Sequence, residues 1–126
     1  MNVLNPSDIP AKQGDPAYFT GAVQLRTMAS TDAVKMFRVE FPAGARTNWH
    51  THGGVQVLVI LEGRCRFQHE GGPVGEAGVG ETIYIPPGEK HWHGAGPDAP
   101  MVHLAVNVSP ETDWLEPVSE ELYSGE

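Results

Sequence analysis

Cysteine occurs only once, at Cys65, so no disulfide within the chain can staple the fold. A lone thiol fits a reducing compartment, and a cytoplasmic location is the expectation. No apolar run approaches the roughly 20 residues of a membrane-spanning helix, so no membrane partner is expected. The opening residues, MNVLNPSDIPAKQG, lack a basic start followed by an apolar stretch, so no signal peptide is expected. Basic residues are scarce, with 8 Lys and Arg against 16 Asp and Glu and a net charge of −8. With no basic stripe, a polyanion would be repelled, and a nucleic-acid partner is excluded. The charge is uneven. Six acids and no base follow residue 110, which leaves ten acids against eight bases before it. The body is therefore near neutral, and residues 111–126 form an acidic tail that reads as solvated or partner-packed. Trp114, Leu115 and Leu122 suggest that part of it docks. A helical period is also missing until the end, where Ser119 is placed to cap a short turn through Glu120, Glu121 and Leu122.

Turn-forming residues are abundant instead, with 15 Gly and 11 Pro in 126 residues. They divide the chain into short segments, which suits a single all-β domain spanning 1–126 better than a helical one. Residues 1–16 carry Pro6, Pro10 and Pro16 and read as an irregular arm. Strands are expected over 18–28, 35–41, 55–61, 64–69, 83–85 and 101–108. In 35–41, Phe37, Val39 and Phe41 face one way and Arg38 and Glu40 the other. Residues 55–61 are apolar apart from Gln56, so a central strand covered on both faces is expected. Such spacing predicts a double-sheet jelly roll or a small barrel.

The histidines are the informative part. His50 and His52 lie two apart, as do His91 and His93. On a strand, i and i+2 share a face, so each pair projects both imidazoles together. Two such pairs invite a metal held between strands. In 101–108 the alternate residues Val102, Leu104, Val106 and Val108 are all apolar and expected to be buried. If His103 faces the histidine cavity, that other face needs a separate cover. A partner subunit is the expected one, which implies a homodimer or higher homo-oligomer.

Two stretches resemble the paired motifs of the cupin superfamily. The first runs Gly44, five residues, His50-Thr51-His52, three residues, Gln56, six residues, Gly63. The second runs Gly80, five residues, Pro86-Pro87-Gly88, two residues, His91. The family usually has Glu at the position of Gln56, and often Asn where Ala95 stands. The segments ARTNWHTH, PPGEKHWHGA and MVHLAV, with PAYFTG near the start, resemble small bacterial cupins that include manganese-dependent hydroxynitrile lyases. That resemblance implies a cupin jelly-roll barrel with His50, His52, Gln56 and His91 as metal ligands. It also implies that His93 and His103 stand near the metal as catalytic bases. Mn(II) is the implied metal, and imidazole donors also suit Fe(II), Zn(II) or Ni(II). The implied reaction is cleavage or formation of a cyanohydrin, with the metal as Lewis acid and His103 or His93 as base.

Two other functions use the same parts. One is an iron-dependent dioxygenase, and the other is a non-catalytic module that binds a small molecule. Neighbouring residues have plainer readings. His69, beside a hairpin turn, reads as a surface residue. Trp49 and Trp92 alternate with the ligands and read as packing residues on the opposite face. Tyr84 and Thr47 read as strand formers, and Arg46 and Lys90 as solvated cations.

Overall fold

The computed structural model of the chain describes residues 1–109 and 111–125, so Pro110 and Glu126 lie outside the described residues. Among the described residues, thirteen short strands form two antiparallel sheets. In chain order they are β1 (Lys12–Gln13), β2 (Phe19–Thr20), β3 (Gln24–Ser30), β4 (Val34–Phe41), β5 (Arg46–Thr47), β6 (His50–His52) and β7 (Gln56–Glu62). They continue as β8 (Arg64–His69), β9 (Gly75–Gly78), β10 (Thr82–Ile85), β11 (His91–Ala95), β12 (Met101–Val108) and β13 (Thr112–Trp114), before the helix α1 (Glu120–Ser124). One sheet runs β1-β3-β4-β12-β7-β10, and the other runs β13-β6-β11-β5-β2 with β8 and β9 attached through β11. The fold is the expected all-β jelly roll. Among the described residues, no helix is long and apolar enough to cross a membrane.

The alternation in β4 is realised as expected. Val39 and Phe41 are buried, while Arg38 on the outer side joins Arg26 in bonding the Glu40 carboxylate. The core packs Val23, Phe41, Ile60, Cys65 and Met101 between the sheets. Burial pushes the Cys65 thiol up to about 12, so it is an apolar filler at neutral pH.

Several expectations need correction. The stretch 18–28 is two strands in different sheets, β2 and β3. Gly21 breaks it with a φ of +92°, a left-handed conformation open to glycine, and a Cβ there would press into Ala45. The arm is not wholly irregular, since Lys12 and Gln13 pair with Leu25 and Gln24. In β7 only Gln56, Leu58 and Ile60 are buried, and the intervening Val57, Val59 and Leu61 are half-buried. The same holds on β12, where Leu104 and Val106 are half-buried and Val108 is exposed.

The tail docks through Trp114, as expected, which stacks on Tyr18, but not through the two leucines. Leu115 and Leu122 are exposed, and the other anchors are Val118 and Tyr123, packed with Trp49 and Trp92. The two tryptophans thus serve the face behind the histidines, as expected. Ser119 caps α1 by accepting from the Leu122 N–H at 3.2 Å. Arg46 is not solvated. Its guanidinium is buried over the Tyr123 ring at 4.2 Å, donating to Val118 O at 3.0 Å and to Glu120 at 2.8 Å. The cause is the docked tail, which covers the outer side of β5. Lys90 likewise lies between Glu70 and Glu116.

Candidate metal centre

Three strands bring the histidines together. His50 and His52 occupy alternate positions on β6, and His91 is the register partner of His50 across the β6–β11 pairing. Gln56 reaches the same point from the other sheet, at the start of β7. The turn before it depends on Gly54, because a Cβ there would stand on the Val108 carbonyl oxygen. That close approach holds the loop against β12 and aims Gln56 inward. All four side chains are buried.

Hydrogen bonds settle which way each donor points. The Nδ1 of His50 lies 2.9 Å from Asn48 O, and that of His91 lies 2.8 Å from Glu89 O. A carbonyl only accepts, so each Nδ1 carries the proton and each Nε2 keeps a lone pair. His52 Nδ1 lies 3.0 Å from Thr112 Oγ1, and its Nε2 is buried with no partner. Gln56 Nε2 donates to Asn107 Oδ1 at 2.8 Å, which turns Oε1 towards His91 Nε2, 3.0 Å away. Two acceptors facing one another at that distance repel unless a cation shares them. Neighbouring ligands on a metal with bonds of roughly 2.1 Å stand about that far apart. The buried, unpartnered His52 Nε2 and this acceptor pair are groups that a divalent metal bound here would satisfy.

His93 comes closer than expected. Ligand atoms of His50, His91 and His93 all lie within 4.8 Å of one another, and the expected ligand His52 is not in that group. His93 Nδ1 is 3.0 Å from His103 Nε2, and His93 Nε2 and His103 Nδ1 have no hydrogen-bond partner. The main-chain N–H of His93 donates to Thr47 Oγ1 at 3.2 Å, so Thr47 positions this strand rather than lining the cavity. Tyr84 is exposed on the outside of its sheet, and His69 is exposed beside its turn.

Burial depresses every imidazole here. It lowers His91 and His103 to about 4 and is the largest cause in both. His50 and His93 fall well below the ordinary value, through burial first and then the neighbouring imidazoles, His91 for the former and His103 for the latter. His52 is lowered by burial, with the nearby Gln56 side chain and Glu111 backbone opposing. At neutral pH the cluster is a set of uncharged bases.

The cluster opens into a cavity of about 230 Å³ lined by Phe19, Phe37, Phe41 and Trp114 as well as the histidines. Trp114 lies face to face with Tyr18 at 4.8 Å and leans on His50 at 4.8 Å. The sequence reading missed Trp114, Thr112 and Asn107 as site residues. A Trp in an acidic tail has no local signature of a cavity wall. The register Trp114↔His50 and Thr112↔His52 is what places this strand over the centre.

Residues 37–107 match the model of the cupin domain family. Over 98% of its length, and 98% of the relative's, the chain is 39% identical to an (R)-mandelonitrile lyase of Granulicella tundricola. A cupin-like protein of Thermotoga maritima, of known structure, superposes with a TM-score of 0.87 at 31% identity, covering 98% of this chain and 95% of that one. A polyketide cyclase of Streptomyces resistomycificus shares the fold alone, with a TM-score of 0.77 at 23% identity over 98% of this chain and 91% of the other. With both motifs converging on one buried cluster of nitrogen and oxygen donors, the chain belongs to the cupin family.

Proposed function

We propose that this cupin is a metal-dependent lyase that cleaves or forms cyanohydrins, with His50, His52, Gln56 and His91 holding the metal. The observation that carries this reading is the His93–His103 pair. It is a neutral, buried, linked base set directly beside the donor cluster, in a chain 39% identical to a mandelonitrile lyase. Manganese(II) is the metal we assign, from the resemblance to manganese-dependent cupin lyases, since imidazole donors by themselves suit zinc, iron or nickel equally.

Bound there, a divalent metal supplies a Lewis acid for an oxygen substituent. The chain does the rest. Its four donors are uncharged, so they leave the full positive charge of the centre available. Phe37, Phe41 and Trp114 hold the apolar part of the substrate and exclude water. His93 takes the hydroxyl proton, and His103 at 3.0 Å shares it through the imidazole pair. The C–C bond to the nitrile breaks, its electron pair leaves with cyanide, and the carbonyl forms. The imidazolium then returns the proton to give HCN. Run backwards, the same steps add cyanide to an aldehyde.

The test is benzaldehyde release from mandelonitrile at mildly acidic pH, where spontaneous decay is slow. Turnover is expected with manganese-loaded protein and not with chelated protein. Equal rates in the two would overturn the lyase reading. Oxygen uptake by the iron-loaded protein would turn it towards a dioxygenase.

The small-molecule cavity faces inward, and a second copy of the chain is the cover we assign to the outer face. There Leu104 lies beside Val59, and Val106 lies between Val57 and Met36, all half-buried. A dimeric mass at micromolar concentration is the expected result in light scattering. A monomer would remove the partner from the proposal.

A further inference from the structure

Inward-facing residues on β4 alternate as Lys35, Phe37, Val39 and Phe41, and all four line the cavity. Three belong to the apolar wall. Lys35 does not, and it is the one Lys or Arg among the described lining residues. Its surroundings explain no structural duty. Five of the chain's eight Lys and Arg side chains reach a carboxylate within 4.0 Å, but the Lys35 ammonium makes no ion pair or hydrogen bond among the described residues. Asp32 and Glu111 line the recess next to it without reaching that distance.

Sheet register ties this lysine to the centre. Lys35 pairs with Asn107, and Asn107 pairs with Gln56, so the three form one row across β4, β12 and β7. Adjacent strands are about 4.8 Å apart, which places the Lys35 and Gln56 backbones roughly 10 Å from one another. Both residues line the cavity, and Lys35 also borders the recess of Asp32 and Glu111. One end of the row is the donor cluster, the other is a cation, and aromatic rings flank the space between. The volume, about 230 Å³, is below the roughly 300 Å³ at which sites for drug-sized ligands begin, so it suits a single ring.

We propose that Lys35 is an anion-binding end of this cavity, and that its ligands are single-ring aromatic compounds carrying a carboxylate remote from the reacting oxygen. This rests on the reading of the cavity as the substrate site. It adds a specificity that the lyase assignment does not contain. The ammonium would give the carboxylate a charge-assisted hydrogen bond at the edge of a site too apolar to solvate it otherwise.

The test uses unreactive probes. Binding of 4-(hydroxymethyl)benzoate and of benzyl alcohol to the manganese-loaded protein would be compared by calorimetry at low ionic strength. The carboxylate is expected to bind roughly tenfold more tightly. Lys35→Met, which keeps the length of the stem, should bring the ratio to about one, and Lys35→Arg should restore most of it. A ratio near one in the unmodified protein, or one that survives Lys35→Met, would overturn the proposal and give Lys35 to Asp32 or Glu111. No turnover is needed for this readout. Absent mandelonitrile cleavage with the preference intact would strike the lyase reading alone, and cleavage without the preference would strike this one alone.

Discussion

Replacing His91 with alanine is expected to abolish metal retention. Metal content after dialysis should fall from about one ion per chain to a small fraction of that, and mandelonitrile turnover should fall to the level of the chelated protein. His91 sits at the middle of the donor set. Its Nδ1 is fixed by Glu89 O, its Nε2 faces Gln56 Oε1 at 3.0 Å, and its ring centroid lies 4.2 Å from that of His50. Removing it leaves Gln56 Oε1 facing an empty space and takes the central strand, β11, out of the coordination. Losing a group that merely orients a ligand costs about 10- to 100-fold in affinity, and losing a ligand itself should exceed that. Gly94 and the Trp92 packing behind the strand are untouched, so the fold should persist. A matched change at the exposed His69 controls for loss of surface imidazole. Stoichiometric metal in the His91→Ala protein would sink the assignment of the site and leave His93 as the third nitrogen of the cluster.

Local pattern carried much of the site, and pairing across the sheets carried the rest. The histidines stood out because His-x-His spacing needs only an extended chain to put both rings on one face, whereas Gln56 as a fourth ligand came from the resemblance to the cupin motif. The face behind them followed from the same alternation, which is why Trp49 and Trp92 were readable as packing residues. What the sequence concealed was set by partners distant in the chain. Arg46 looks like a solvated cation until the tail is laid over β5 and its guanidinium meets Glu120, 74 residues away. Asn107 looks like any strand residue until its register with Gln56 shows that it holds the amide in place. Residues 18–28 read as one strand because a single Gly21 gives no notice that the chain changes sheets there. Val57, Val59, Leu104 and Val106 read as core because apolarity does not separate a buried position from the half-buried ones they occupy.

Lowering the pH should unfold the chelated protein well before its carboxylates are titrated. The sign follows from the direction of the shifts. His91 and His103 are held at about 4 in the folded chain and return to about 6.5 when it unfolds. Between those values the unfolded chain binds more protons, so stability is complete above pH 6.5 and is lost as the pH falls towards 4. Each of the two contributes on the order of 3 kcal/mol over that window. His50 and His93, lowered by burial and then by neighbouring imidazoles, act in the same direction. A domain of this size has only about 5–15 kcal/mol to lose. The urea midpoint of chelated protein is therefore expected to drop steeply from pH 6.5 to 5, where unfolded Asp and Glu are still largely ionised. Metal-loaded protein should hold its midpoint to a lower pH, because the ion binds the neutral imidazoles of the folded state and competes with the proton. A midpoint that stays level from pH 7 to 5 in the chelated protein would mean that the cluster is hydrated and charged. The neutral His93–His103 base would then be lost with it.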